Sequence, residues 1–262
     1  MNAFSMSPLS LQLDELTSPE IRKLIADGYL SVLVPLGATE QHGPALPLCV
    51  DNAHGLETAL RAARALGRTL VGPVMTLGCS PEHARFPGTV SLARETVVAM
   101  LKDIAESHAR SGFRLVYFWC GHGGNFPMLQ EALEQMAGRW PSCRIAGIRD
   151  IQKYVRETWD TLPLREGVPP EVSGSHAGEF ETSMMLALRP ELVRVAEAEA
   201  GAPDPLDVVF DTMMREGIDA VSPNGVLGDQ RGADADRGRR YLDGLAAWLV
   251  RDVEKHRKEL GL

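Results

Sequence analysis

A glutamate, a histidine and an aspartate lie close together between residues 37 and 51. Glu40 and His42 are two positions apart, so in an extended chain their side chains project to the same side. Asp51 follows after a proline-containing turn. One imidazole and two carboxylates suit Zn²⁺, Mn²⁺ or Fe²⁺ better than copper. The segment indicates a metal site, although the pattern equally fits a polar loop followed by a helix that Asp51 caps.

A second histidine lies in the glycine-rich segment Gly121-His122-Gly123-Gly124-Asn125, directly after an apolar run. Glycine neighbours let such a histidine approach a ligand closely, because they have no side chains. An oxyanion loop of the esterase type would need a G-x-S-x-G nucleophile motif, which the chain lacks. The lysine and spacing of a phosphate-binding loop are also missing. We therefore expect His122 to contact a ligand, with a purely structural loop as the alternative.

The third group lies in the segment SHAGEFETS, residues 175–183. His176 and Glu181 would be about 140° apart on a helix. They can share a site only if His176 precedes the helix and Glu181 lies in its first two turns. Glu179, three residues after His176, is the alternative ligand. These acids also suit a helix dipole without any ligand.

Short apolar runs alternate with segments of helical periodicity along the chain. We predict strands at 30–36, 69–77, 113–120 and 144–148, and helices at 51–66, 91–111, 128–136, 178–188 and 237–260. This alternation predicts the α/β class with a mostly parallel central sheet covered on both faces. Ligands then bind at the carboxyl ends of the strands. Segments 156–173 and 197–232, rich in Pro, Gly and acids, are predicted to be long functional loops.

The length of 262 residues fits a single domain over 1–262, and the net charge of −8 argues against nucleic acid or an anionic membrane as partner. The N-terminus has no secretory pattern and the apolar runs are too short to span a bilayer, so we expect a cytoplasmic protein. The four cysteines form no C-x-x-C pair and are expected to be reduced. A small molecule is the expected partner.

Five segments together resemble the creatininase (creatinine amidohydrolase) family. They are LGATEQHGPALPLCVD, SPEHARFPGTVSL, GHGGN, SHAGEFETSMML and GVLGDQRGADADRGRRYL, in order from about Val32 to Leu242. The resemblance implies a three-layer α/β/α sandwich with a two-metal centre. It also implies a hydrolase of C–N bonds other than peptide bonds, typically in a cyclic amide or a formamide, and a homo-oligomer, often a hexamer.

The resemblance also implies a role for individual residues. Glu40, Asp51 and His122 would hold one metal ion, while His42 and the bridging Asp51 would bind the other. Creatininase has a further glutamate two residues after the histidine of the glycine-rich loop, where this chain has Gly124. Family members with GHGGN use the glutamate before Thr-Ser instead, which here is Glu181. Creatinine is therefore not the first substrate that we expect.

Ser80 and the backbone of Gly123 match positions that line the substrate pocket in the family, and His176 matches the histidine beside the scissile bond. The implied cofactors are two divalent ions, with zinc first and manganese or iron as alternatives. Such a pair, about 3.5–4 Å apart, supplies a metal-bound hydroxide that attacks the amide carbonyl. His176 would protonate the leaving nitrogen. The alternatives are a non-catalytic member that binds metals and metabolites or assembles with partners, and a serine or cysteine hydrolase.

The remaining candidates receive structural interpretations. We expect His83 to be structural, with a place in the pocket as the alternative, and His54 to lie on a helix surface, with a spare metal ligand as the alternative. We expect His108 to be a core or interface residue and His256 to be solvated. Cys120 lies inside a strand, where burial makes a thiol unreactive. Tyr154, Trp159 and the 156–173 segment are expected to shape the pocket.

Overall fold

A parallel sheet forms the centre of the fold in the computed structural model, which describes residues 9–262. The strands are β1 (Ser31–Leu36), β2 (Thr69–Val71), β3 (Leu115–Cys120) and β4 (Arg144–Gly147). They are ordered β2-β1-β3-β4, and every pairing is parallel. Every residue of β1 and β3 is buried, as expected for central strands with helices on both faces. The predicted α/β class with a parallel central sheet is confirmed.

Helices flank this sheet. They are α1 (Ser18–Ala26), α2 (Val50–Leu66), α3 (Arg94–Ser111), α4 (Phe126–Gln135), α5 (Ile151–Val155), α6 (Thr161–Arg165), α7 (Pro170–Ser173), α8 (Glu179–Leu188), α9 (Leu206–Glu216) and α10 (Ala235–Leu260). Helix α10 packs against α2 and α8, while α3 packs against α4. Across residues 9–262, no helix is both long enough and apolar enough to cross a membrane.

Several predicted boundaries are wrong. Strand β2 ends at Val71 rather than at residue 77, and beyond it Met75 forms only an isolated bridge to Leu36. Pro73 lies in between and cannot donate to a strand ladder. Helix α1 is absent from the sequence prediction, although its capping box of Thr17 and Glu20 is a recognisable start signal.

The two predicted loops are also partly wrong. The segment 156–173 continues α5 through a π-helical stretch, Arg156–Asp160, and then forms α6 and α7. These pieces are too short for helical periodicity to appear in the sequence, and Pro169 lies between α6 and α7. In the segment 197–232, α9 takes up the middle and the remainder is largely irregular chain.

The register of the two central strands determines where the polar segments meet. Leu36 at the end of β1 pairs with Cys120 at the end of β3. The amide of Gly121 donates to the carbonyl of Leu36, with an N···O distance of 2.8 Å. The segments that follow β1 and β3 therefore begin side by side at one edge of the sheet, as expected for a ligand site in a parallel fold.

Candidate metal centre

Two glycines permit the close packing at this edge of the sheet. A Cβ on Gly121 would lie 2.9 Å from the carbonyl oxygen of Asp51, so only glycine lets the first turn of α2 rest on the end of β3. A Cβ on Gly124 would lie 2.3 Å from His122 Nε2 and 2.4 Å from the carbonyl oxygen of Cys79. The loop after β3 therefore has no room for a side chain at position 124 in this conformation.

The first group of ligand atoms comes from three different segments. His122 Nδ1 lies 3.3 Å from Glu40 Oε1 and 3.4 Å from Asp51 Oδ2. On its other side, His122 Nε2 is 3.0 Å from the carbonyl oxygen of Cys79 and 3.2 Å from Ser80 Oγ. With its proton on Nε2, His122 donates to the Cys79 carbonyl and leaves Nδ1 free to bind a cation. Metal-binding histidines usually donate their other ring N–H in this way.

The second group lies on the other side of Asp51. His42 Nε2 is 3.3 Å from Asp51 Oδ1 and 3.7 Å from Glu181 Oε1. His42 Nδ1 donates to the carbonyl oxygen of Glu40 at 3.2 Å, so that Nε2 faces the carboxylates. Glu181 Oε2 accepts from the amide of Ala177, a residue with φ of 56°. That contact stabilises the left-handed turn that leads into α8.

Asp51 thus presents one carboxylate oxygen to each group, and the geometry fits two cations. Tetrahedral ligands about 2.1 Å from an ion are about 3.4 Å from one another, close to the separations measured here. Glu40 Oε2, His42 Nε2 and Asp51 Oδ2 are buried and have no hydrogen-bond partner within residues 9–262. Buried polar atoms without partners are costly, and a pair of divalent ions would satisfy them.

The charges in the cluster are strongly coupled. Burial alone would raise the pKa of Glu40, but His122 beside it brings that pKa down to about 2. Burial opposes ionisation of Asp51 as well, and His42 lowers its pKa well below the usual value. Burial would lower the pKa values of His42 and His122, yet the adjacent carboxylates raise both well above normal. The metal-free cluster therefore holds carboxylates and imidazolium groups, whose protons a cation must displace.

His176 stands between two other histidine rings. Its ring centroid is 4.3 Å from that of His42 and 4.5 Å from that of His83. His176 Nε2 donates to the carbonyl oxygen of Gln41 at 2.9 Å, and Nδ1 lies 3.7 Å from Glu40 Oε1. Burial, reinforced by His42, lowers the pKa of His176. The ring is therefore neutral near pH 7, with Nδ1 facing the ligand groups.

Gln41, which the sequence reasoning missed, ties this arrangement together. Its side-chain amide donates to the carbonyl oxygen of Gly225 at 3.0 Å and to His83 Nδ1 at 2.9 Å, while its oxygen accepts from the amide of Gly43 at 2.8 Å. Burial lowers the pKa of His83 to about 3, consistent with a neutral ring that accepts at Nδ1. The only sequence signal for Gln41 was its position between two candidate ligands.

The segment 217–232 covers the loop that carries these residues. Gln230 Nε2 donates to the carbonyl oxygen of His42 at 2.9 Å, and Gly225 holds Gln41 as described. Leu227 exchanges backbone hydrogen bonds with the chain around His176. We call residues 217–232 the covering segment, because it fixes both the 41–45 loop and the turn before α8.

Of the two alternative glutamates, Glu181 lies in the cluster and Glu179 does not. Glu179 is buried between α8 and α10, where Arg237 Nε donates to it at 2.8 Å and the Tyr241 hydroxyl at 3.0 Å. Ser183 Oγ donates to it at 2.6 Å. Its position is thus that of a structural ion pair.

Two of the three predicted substrate contacts, Ser80 and Gly123, occupy different environments, and His176 is described above. Ser80 is fully buried beside His122, whereas Gly123 is exposed, and a Cβ built on it would meet no described atom within 4 Å.

The carbonyl of His122 accepts from the Cys120 thiol, and burial raises the pKa of that thiol to about 12. This high pKa agrees with the expectation of an unreactive cysteine.

Two histidine predictions, for His54 and His256, need correction. His54 is 1% exposed rather than on a helix surface, because the side of α2 that carries it faces the end of β3. His83 lies beside the cluster, with Nε2 3.5 Å from Glu40 Oε1 and 3.7 Å from Glu82 Oε1, and its structural role stays a prediction. His256 is half-buried, with its ring centroid 5.9 Å from that of Tyr117. The alternatives left open for His54 and His83 already included the site, whereas nothing in the sequence indicated the partial burial of His256.

The chain is similar to known proteins over most of its length. The family model Creatininase, described as creatinine amidohydrolase, matches residues 14–253. A mycofactocin precursor peptide peptidase from Mycobacterium ulcerans (strain Agy99) is 37% identical over 225 residues, which are 81% of this chain and 80% of the relative. Creatinine amidohydrolase from Pseudomonas putida is 33% identical over 214 residues, 76% of this chain and 81% of the relative.

The structures agree with these matches. A creatininase mutant of the Zn-Zn type has a TM-score of 0.80 to this chain at 25% identity, and the match covers 97% of this chain and 99% of that one. Creatininase is also known in a manganese form. As the motifs predicted, the chain belongs to the creatininase family and is a metal-dependent hydrolase of C–N bonds.

Proposed function

We propose that this protein is a dinuclear metal-dependent amidohydrolase that cleaves a C–N bond of a small amide. One observation carries the proposal: Asp51 presents one oxygen to each of two ligand groups whose buried atoms lack partners among the described residues. Glu40, Asp51 and His122 would hold one cation, and His42, Asp51 and Glu181 the other. A non-catalytic binding protein would not need two adjacent groups of this kind.

Two bound divalent cations would supply an activated water and a positive charge for the developing oxyanion. The chain itself supplies the proton transfer. His176 is neutral and directs Nδ1 towards the ligand groups, while the carbonyl oxygen of Gln41 fixes its tautomer. It can therefore accept a proton from the attacking water and return it to the leaving nitrogen.

A small cyclic amide or a formamide is the first candidate substrate. A peptide bond is the second, because relatives from four mycobacterial strains, 33–37% identical to this chain, are named as peptidases of mycofactocin precursor peptide. Zinc is the first candidate metal and manganese or iron the alternative. We further propose a homo-oligomer, with a hexamer as the first possibility, and a cytoplasmic location.

Removing the bridging carboxylate tests the proposal. We expect Asp51→Asn to bind metal more than about 100-fold more weakly and therefore to be isolated without its two ions. Even the hydrogen-bond partners of metal ligands contribute about 10–100-fold to affinity. Metal content is measured by mass spectrometry, and turnover with a panel of creatinine, N-formyl amides and short peptides. Asp103→Asn, an exposed site on α3, is the control. Two ions and full activity in Asp51→Asn would refute the proposal.

A further inference from the structure

One buried histidine beside the second ligand group has no role in the arrangement described above. His54 is one turn after Asp51 on α2 and is 1% exposed. Its Nε2 lies 3.7 Å from Asp51 Oδ1 and 3.9 Å from Glu181 Oε1. Within the described chain, neither ring nitrogen has a hydrogen-bond partner. A fully buried imidazole with both nitrogens unpaired is unusual in a folded protein and calls for an explanation.

The surroundings of the ring direct Nε2 towards the carboxylates. Asp51 and His54 are three residues apart on a helix, so both side chains point to the same side. The absence of a side chain at Gly121 makes room for the ring, since a Cβ there would lie 3.4 Å from His54 Cε1. The ring of Trp159 stands edge-on at a centroid distance of 6.5 Å.

We propose that His54 Nε2 is a fourth protein ligand of the cation held by His42, Asp51 and Glu181. The separations of 3.7 and 3.9 Å need to shorten by only a few tenths of an ångström to reach the roughly 3.4 Å expected between ligands of one tetrahedral ion. Gly124 has no side chain to offer this ion, and a Cβ there would collide with His122. A ligand from α2 takes that place.

The assignment makes the two metal positions unequal. The group of Glu40, Asp51 and His122 has three protein ligands, which leaves a position for water or substrate, as in catalytic sites. With His54, the other group has four, as in closed structural sites. This inference rests on the proposed two-metal function and adds that the His54 ion is held more tightly, while the other ion carries the exchangeable position.

The substitution His54→Leu removes both ring nitrogens and keeps an apolar side chain in the buried space. His54→Leu and wild type are freed of metal, then titrated with Zn²⁺ against a chromophoric chelator and with Co²⁺, whose visible absorption is strong when four-coordinate. We expect wild type to bind two ions and His54→Leu to bind its tighter ion at least about 100-fold more weakly, since even outer ligand partners contribute 10–100-fold. Its cobalt spectrum should also change, because an imidazole nitrogen is lost from the four-coordinate ion.

His108→Leu is the matched control, since His108 is half-buried on α3 and packs edge-on to Phe113. It should bind metal like wild type. Metal-free His54→Leu should unfold at no lower temperature than metal-free wild type, because it loses two unpaired polar atoms. If His54→Leu does not fold, His54→Ala with added imidazole replaces it, and imidazole should restore the affinity.

The inference is overturned if His54→Leu binds two ions with wild-type affinity and cobalt spectrum, or if imidazole leaves His54→Ala unchanged. Wild type that binds two ions and Asp51→Asn that binds none would then leave the proposed function intact. Wild type that binds fewer than two ions would instead refute the two-metal function itself. The two failures are therefore distinguishable.

Discussion

At the scale of single residues, chemistry depends on which ring nitrogen carries the proton. The three histidines His42, His122 and His176 each place one nitrogen against a backbone carbonyl and turn the other towards the carboxylates. Backbone carbonyls do not titrate, so the nitrogen that faces a carbonyl keeps its proton whether or not the other nitrogen is protonated or binds a cation. The sequence motifs identified the three histidines as candidates. Their carbonyl partners are defined only by the folded loops and could not be predicted from the sequence.

His176→Gln isolates the proton-transfer step. We expect kcat to fall by about 10²–10⁴-fold, the usual contribution of a positioned acid–base group, while the bound metal stays at the wild-type level. Steady-state kinetics together with metal analysis measures both quantities. A variant that keeps wild-type kcat would show that another group transfers the proton, and parallel loss of metal would show that His176 is a ligand instead.

At the scale of elements, the loop after β3 has two adjacent glycines with different tasks. Gly124 lies against His122 and the carbonyl of Cys79, whereas Gly123 faces open space. The motif GHGGN in the sequence does not distinguish these positions. The distinction depends on the approach of residues 79–80, a contact between segments more than 40 positions apart.

The pair Gly124→Ala and Gly123→Ala tests this difference. The new methyl group at 124 would push His122 away from Glu40 and Asp51, so we expect metal affinity to fall by about 10–100-fold. Gly123→Ala should leave metal affinity unchanged. Competition titrations of both variants provide the measurement, and equal affinities would contradict the assigned geometry.

At the scale of the whole molecule, the fold and much of the site were predictable because both follow from local pattern. Buried strands read as apolar runs, and the residues after β1 and β3 had to meet at one edge of the sheet. The positions of His54 and His83 were not predictable. They depend on how α2 and the 80–83 turn pack against the end of β3, and no periodicity in a single sequence reports such packing.

The thermal stability of the whole protein should depend on whether protons or metal ions occupy the histidines of the cluster. The raised pKa values of His42 and His122 stabilise the metal-free fold below their unfolded pKa of about 6.5, and this stability is lost as pH rises through the folded values. Metal binding has the opposite dependence, because it displaces those protons. The ligand carboxylates Glu40, Asp51 and Glu181 have lowered pKa values, about 2 for Glu40, and are already ionised above pH 5. They therefore add no pH dependence to the stability in this range.

The gain in melting temperature on metal loading should therefore widen from pH 6 to pH 8. Dialysed metal-free and zinc-loaded protein are compared by calorimetry at both values. A gain that is equal at both pH values would show that the two histidines are already neutral in the metal-free protein.

The covering segment, residues 217–232, has a consequence for how this enzyme could diverge. It holds the 41–45 loop through a backbone carbonyl and the side chain of Gln230, but it contributes none of the candidate ligands. Substitutions at its exposed positions, such as Pro223 and Arg231, can alter the protein surface without moving those ligand atoms. A change at a buried position such as Val226 or Gln230 would instead move the 41–45 loop, so the segment can tune the hydrolytic site without taking part in its chemistry.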